Sequence, residues 1–141
     1  MMARMKHKPL GREMLLPLRA QKARALSLEY HLALSVLAAG DGSFDQAATL
    51  LQAIWHARFL AGREDANAEH LAAAESALDA ISSRVDAGAA WTVSGAEHTA
   101  IARGLSIHDQ LTAREPYHRF VAAWAQMQHL ARESQETSTS I

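Results

Sequence analysis

The sequence predicts an all-α protein, an antiparallel bundle of four or five helices with a basic N-terminal arm. Three observations lead there. Thirty of the 141 residues are alanine, the residue that enters a helix at least entropic cost. Three prolines and seven glycines leave long uninterrupted stretches, and the β-branched residues that favour strands are scattered. Apolar residues recur at three- and four-residue steps in successive segments separated by glycine, proline or short polar runs. The length suits one domain able to bury a core without staples. Residues 1–17 read as the arm, 18–132 as the bundle and 133–141 as a polar, disordered tail.

The first helix is expected from Leu18 to Ala39, with Leu26, Tyr30, Ala33, Leu34 and Leu37 on one face. Gly40 suits the position after its end, and Asp41-Gly42 the turn. Ser43 and Gln46 form a capping-box pattern that opens a second helix, Phe44 to Ala61. Its expected buried stripe is Phe44, Ala47, Leu51, Ile54, Trp55 and Phe59. After Gly62 and a polar connection, Asn67 is the expected N-cap of a third helix reaching about Ala87. Leu71, Ala74, Leu78, Ile81 and Val85 give it a narrow heptad seam suited to a bundle. Trp91 lies in the next loop and is read as stapling the start of the fourth helix, where Ser94 and Glu97 repeat the capping box. That helix runs toward Arg114 with Ile101, Leu105, His108 and Leu111 on one side. Gly104 inside it, with Ser106 and Asp109 beyond, predicts a kink or break. Pro116 suits the first position of a fifth helix burying Phe120, Val121, Trp124, Met127 and Leu130.

Several chemistries lack a frame. The chain has no cysteine, which excludes disulfides, thiolate zinc sites and thiol nucleophiles. No segment holds the roughly 18 consecutive apolar residues of a membrane span. The apolar run Met14 to Leu18 contains Pro17 and meets Arg19 at once, unlike a signal peptide, so a cytoplasmic location and no membrane partner are expected. Among eight histidines, no two lie at i, i+3 or i+4, the spacing that aims two imidazoles from one helix at one ion. Convergence of His31 with His56 across the first hairpin is the remaining metal alternative. No Gly-x-Ser-x-Gly elbow or phosphate-cradling glycine loop occurs. The expectation is therefore a non-enzyme with no cofactor and no metal.

Charge supplies the positive signal. Residues 1–24 carry Arg4, Lys6, Lys8, Arg12, Arg19, Lys22 and Arg24 against Glu13 alone, a net of +6; residues 25–141 carry −7. Such an arm could track a phosphate backbone. It contains no aromatic residue for base stacking, and its cations alternate with apolar residues, Leu15 and Leu16 among them. That mixture suits an acidic groove on a protein partner, and it also suits the chain's own acidic body. The candidate partner-binding residues are therefore Arg4, Lys6, Lys8, Arg12, Leu15, Leu16, Arg19, Lys22 and Arg24. The expected function is that of a regulatory or adaptor protein binding a protein partner. A nucleic-acid-binding transcriptional regulator is the first alternative and a metal- or small-ligand-binding bundle the second; homo-oligomers fit either.

Glu97 to Arg119 loosely resembles a helix-turn-helix. Ala100 precedes Gly104 by four residues and Leu105-Ser106 follows, as in many such turns. The pattern then needs an apolar residue six positions after the glycine, where Gln110 stands, and Asp109 and Glu115 make the recognition helix poor in bases. Leu15 to Leu37, Trp91 to Ser94 and the helix start at Pro116 resemble short helical proteins of GC-rich proteobacteria. Some of those are labelled transcriptional regulators of the Fis type. The resemblance implies a helical, bacterial, regulatory protein and assigns no site residue.

Overall fold

A computed structural model describes residues 10–139 and, for Ser138 and Thr139, the backbone only. The described chain is all helical. A single turn, α1 (Arg12–Leu15), precedes five long helices: α2 (Ala20–Ala38), α3 (Phe44–Ala61), α4 (Ala68–Asp86), α5 (Gly95–Arg114) and α6 (Tyr117–Thr139).

Local signals set most boundaries. Both capping boxes form: Ser43 accepts from the Asp45 N–H while Gln46 returns to the Ser43 N–H, and Ser94 and Glu97 reciprocate in the same way. Gly40 and Gly62 follow α2 and α3 at φ of 87° and 83°, a region that side-chain-bearing residues avoid. Asn67 stands before α4, but its side chain makes no cap; Asp65 Oδ1 accepts the Asn67 N–H instead. Between Glu115 and Tyr117, Pro116 ends one helix and starts the next.

α3 and α5 are the central elements. α3 packs against α2, α4, α5 and α6, and α5 against α2, α3 and α4. One cluster, including Tyr30, Leu34, Leu50, Ile54, Leu78, Ile81 and Leu105, joins α2 to α5. A second, built on Leu60, Leu71, Ile107, Leu111 and Ala123, carries the core toward α6.

The structure corrects several expectations. α5 is continuous through Gly104, so the helix does not break there, and the turn of a helix-turn-helix is absent. The glycine serves a close approach: a Cβ there would lie 2.6 Å from Ile54 Cδ1 and 2.9 Å from Ala74 Cβ. Three helices meet at that point. α3 is buried on more than one face, so Leu50, Ala53, His56, Ala57 and Leu60 are buried. Phe44, at its end, is 57% exposed, with its ring edge-on to Trp91 at 4.9 Å. Val121 is also exposed, and Ala123 and Met127 supply the buried positions of α6. α6 packs chiefly on α3 rather than on its chain neighbour α5. Finally, the helix continues past Glu133 to Thr139, supported by the His129–Glu133 pair one turn apart and by Thr137 Oγ1 donating to the Glu133 carbonyl.

Candidate functional site

The basic segment, where described, is tethered rather than free. Residues after α1 run beside the start of α6, and the Tyr117 N–H donates to the Leu16 carbonyl at 2.8 Å. This contact presents side chains outward. Leu10, Leu15 and Leu16 are 47%, 56% and 49% exposed, and Arg12, Arg19, Lys22 and Arg24 are exposed around them. Arg19 meets Glu13 at 3.4 Å, an exposed pair. A hollow of about 310 Å³ lies here, lined by Glu13, Leu16, Pro17, Leu18, Arg19, Lys22 and Tyr117. Thus Leu16, Arg19 and Lys22 border one concavity, with Leu15 and Arg12 one turn away. Arg24 borders a different cleft of about 220 Å³, between α2 and α5, with Ser27, His108, Asp109 and Thr112. Arg4, Lys6 and Lys8 lie outside the described residues.

The most unusual group in the core escaped sequence reasoning. His56 of α3 and His108 of α5 are buried at 0% and 1% exposure, with Nδ1 of His56 2.8 Å from Nε2 of His108. His56 Nε2 lies 3.0 Å from the Phe120 carbonyl of α6. A carbonyl only accepts, so Nε2 of His56 carries the proton. In the neutral ring Nδ1 is then a lone pair, and His108 donates to it from its own Nε2. The order of hydrogen bonds runs His108 to His56 to Phe120, across three helices. Tyr30, Phe120 and Trp124 set ring edges against the pair. Burial, and for His108 also the neighbouring His56, disfavours a further proton: His108 is pushed down to about 3, and His56 is lowered chiefly by desolvation. Beside them, Thr112 Oγ1 is buried without a hydrogen-bond partner.

The alternative in which His31 converges with His56 is not realised among the described residues. His31 pairs with Asp109 at 3.1 Å, and His56 turns inward to His108. Glu115 and His118 stand at Glu-x-x-His spacing, but Glu115 faces Arg114 and Arg119. Among the described residues no three histidines or carboxylates gather as a metal site. Their helices are likewise not long and apolar enough to cross a membrane.

A concavity of about 680 Å³ opens where α4 and α6 both rest on α3. Trp55, Phe59, Leu71 and Leu130 give it apolar walls; Arg58, Arg63, Glu75 and Gln126 give it polar ones.

Fold and surfaces together define an all-helical bundle with a basic, apolar-tipped N-terminal face. No family model matches the chain, and no curated protein or solved structure matches it.

Proposed function

We propose that this chain is a non-enzymatic regulatory or adaptor domain that holds an acidic segment of a protein partner, anchored by apolar side chains, on the face around α1 and the start of α2. The exposure of Leu15 and Leu16 amid cations carries this reading. Scattered exposed leucines are ordinary on a protein surface. Here Leu16 lines a hollow together with Arg19 and Lys22, and Leu10, Leu15 and Arg12 are exposed close by in the chain. Apolar anchors surrounded by like charges fit a partner that brings carboxylates to the rim and aliphatic or aromatic residues to the centre. The body's net charge of −7 over residues 25–141 opposes a long polyanion lying across it.

The test is affinity capture with the intact chain and with Leu15→Asp and Leu16→Asp variants, whose helicity is checked by circular dichroism. A partner captured by the parent should be lost from both variants. Neutralising Arg12 and Arg19 should weaken capture less and reduce its salt dependence. Tight, sequence-specific DNA binding at physiological salt, with a log–log salt slope near −4 to −5 for about five phosphate contacts, would overturn the reading.

A further inference from the structure

We infer that the groove between α4 and α6 binds a small planar aromatic monoanion of the arylcarboxylate class, a role separate from the N-terminal face. Topology makes the groove. α4 and α6 each pack on α3, and the surface of α3 between them becomes a floor instead of a helix contact. Trp55 and Phe59, one helical turn apart, therefore share one side of α3 and are half-buried. Leu71, from α4, is fully buried, and Leu130 closes the α6 side. The volume of about 680 Å³ lies within the roughly 300–1,000 Å³ typical of small-molecule sites.

Two features select the ligand. Aromatic side chains at this spacing offer ring surfaces to a flat body, which gains from stacking or edge contacts beyond simple burial. The rim selects charge. Arg58 is bound to Glu75 across α3 and α4, which neutralises that pair. Arg63, just after Gly62, enters no ion pair among the described residues, so the rim retains one positive charge. Its planar guanidinium matches a carboxylate in two-point geometry, and the amide of Gln126 adds a neutral donor. A dianion would leave one charge unmatched, and a cation would meet Arg63.

The experiment titrates the full chain with naphthalene-2-carboxylate and with neutral naphthalene-2-carboxamide, reading the indole N–H signals of the three tryptophans by NMR. Trp55→Phe assigns the signal. The carboxylate should shift the Trp55 signal saturably below millimolar concentration and leave Trp91 in place. The carboxamide should bind at least about tenfold more weakly. Arg63→Gln, at an exposed position where folding is insensitive, should bring the carboxylate down to the carboxamide's affinity. Ala68→Trp, which fills the groove from α4, should abolish both. Equal binding of acid and amide, no saturable shift up to millimolar ligand, or a shift that survives Ala68→Trp would each overturn the inference. Leu15→Asp should bind the carboxylate as the parent does, so failure here is distinct from failure of partner binding.

Discussion

Acid should destabilise this protein through its two core histidines, and the loss should be removable by substitution. In the unfolded chain a histidine takes up a proton near pH 6.5. In the folded chain His108 refuses one until about pH 3, and His56 is lowered in the same direction. The pair's contribution is therefore complete above about pH 6.5 and is lost as pH falls through the interval below it. Each pH unit in which only the unfolded state holds the proton is worth about 1.4 kcal/mol. At pH 4.5, His108 alone thus withdraws roughly 2–3 kcal/mol, a large part of the ~5–15 kcal/mol that holds a typical domain together. Urea denaturation followed by circular dichroism at pH 7.5, 6.0, 5.0 and 4.5 measures the slope. His108→Gln is the informative variant, because its side-chain amide can donate to His56 Nδ1 and does not titrate in this range. It should fall less steeply than the parent by about 1 kcal/mol per pH unit below 6. Carboxylates shared by both proteins cancel in that difference. Parallel pH profiles for parent and variant would refute the assignment of neutral, proton-refusing rings.

Gly104→Ala should destabilise despite alanine's helix preference of about 1 kcal/mol, because the new methyl meets Ala74 Cβ at 2.9 Å, a group with no torsion to move. A net loss of about 1–2 kcal/mol in urea titrations is expected, and a gain in stability would show that the three helices are not in close approach there. Glu97 accepts two of the Arg84 guanidinium bonds, at 2.6 and 2.8 Å, and returns to the Ser94 N–H, which holds its carboxyl down at about 2. Glu97→Ala should cost about 1–2 kcal/mol at pH 7, with part recovered in Glu97→Gln because the amide oxygen still closes the capping box. The Glu97 contribution should fade as pH drops from about 4.5 toward about 2; equal stability of parent and Glu97→Ala at pH 7 would refute it.

The elements were legible because their signals are local. Ser43 with Gln46 and Ser94 with Glu97 place two helix starts without reference to the rest of the chain. The four apolar positions of α5, including His108, are buried as their 3.6-residue period requires. What stayed hidden depends on which helices touch. Periodicity assigns α3 one buried stripe, but four neighbours bury several faces, so His56 goes inside and Phe44 stays outside. His56 and His108 are 52 residues apart, and no spacing rule joins them. Gly104 illustrates the same limit: a helix-interior glycine can mark a helix break or a close contact, and the contact is visible only once Ile54 and Ala74 stand across the interface. The basic and apolar character of the N-terminal segment was legible in composition, since charge and alternation are read directly from residues 1–24. The hollow formed with Tyr117 was not, because it joins α6 to a segment a hundred residues earlier.

α6 connects surfaces that look unrelated in sequence. Its first residue, Tyr117, holds the Leu16 carbonyl and so fixes how Leu15 and Leu16 face outward. One turn later the Phe120 carbonyl accepts the hydrogen bond donated by His56 Nε2–H. Two turns further, Gln126 and Leu130 form a wall of the groove over Trp55. The helix has few wholly buried side chains, with Ala123 and Met127 prominent, and it rests chiefly on α3. A polar tie inside such a contact is costly compared with an apolar one of the same shape. It constrains more, however: sliding α6 along α3 by one residue would leave His56 Nε2–H without its acceptor in a dry core, whereas an apolar contact would tolerate the slip. The His108–His56–Phe120 chain thus ties α6 to α3 and α5 at one position, between the Leu16 contact and the groove wall.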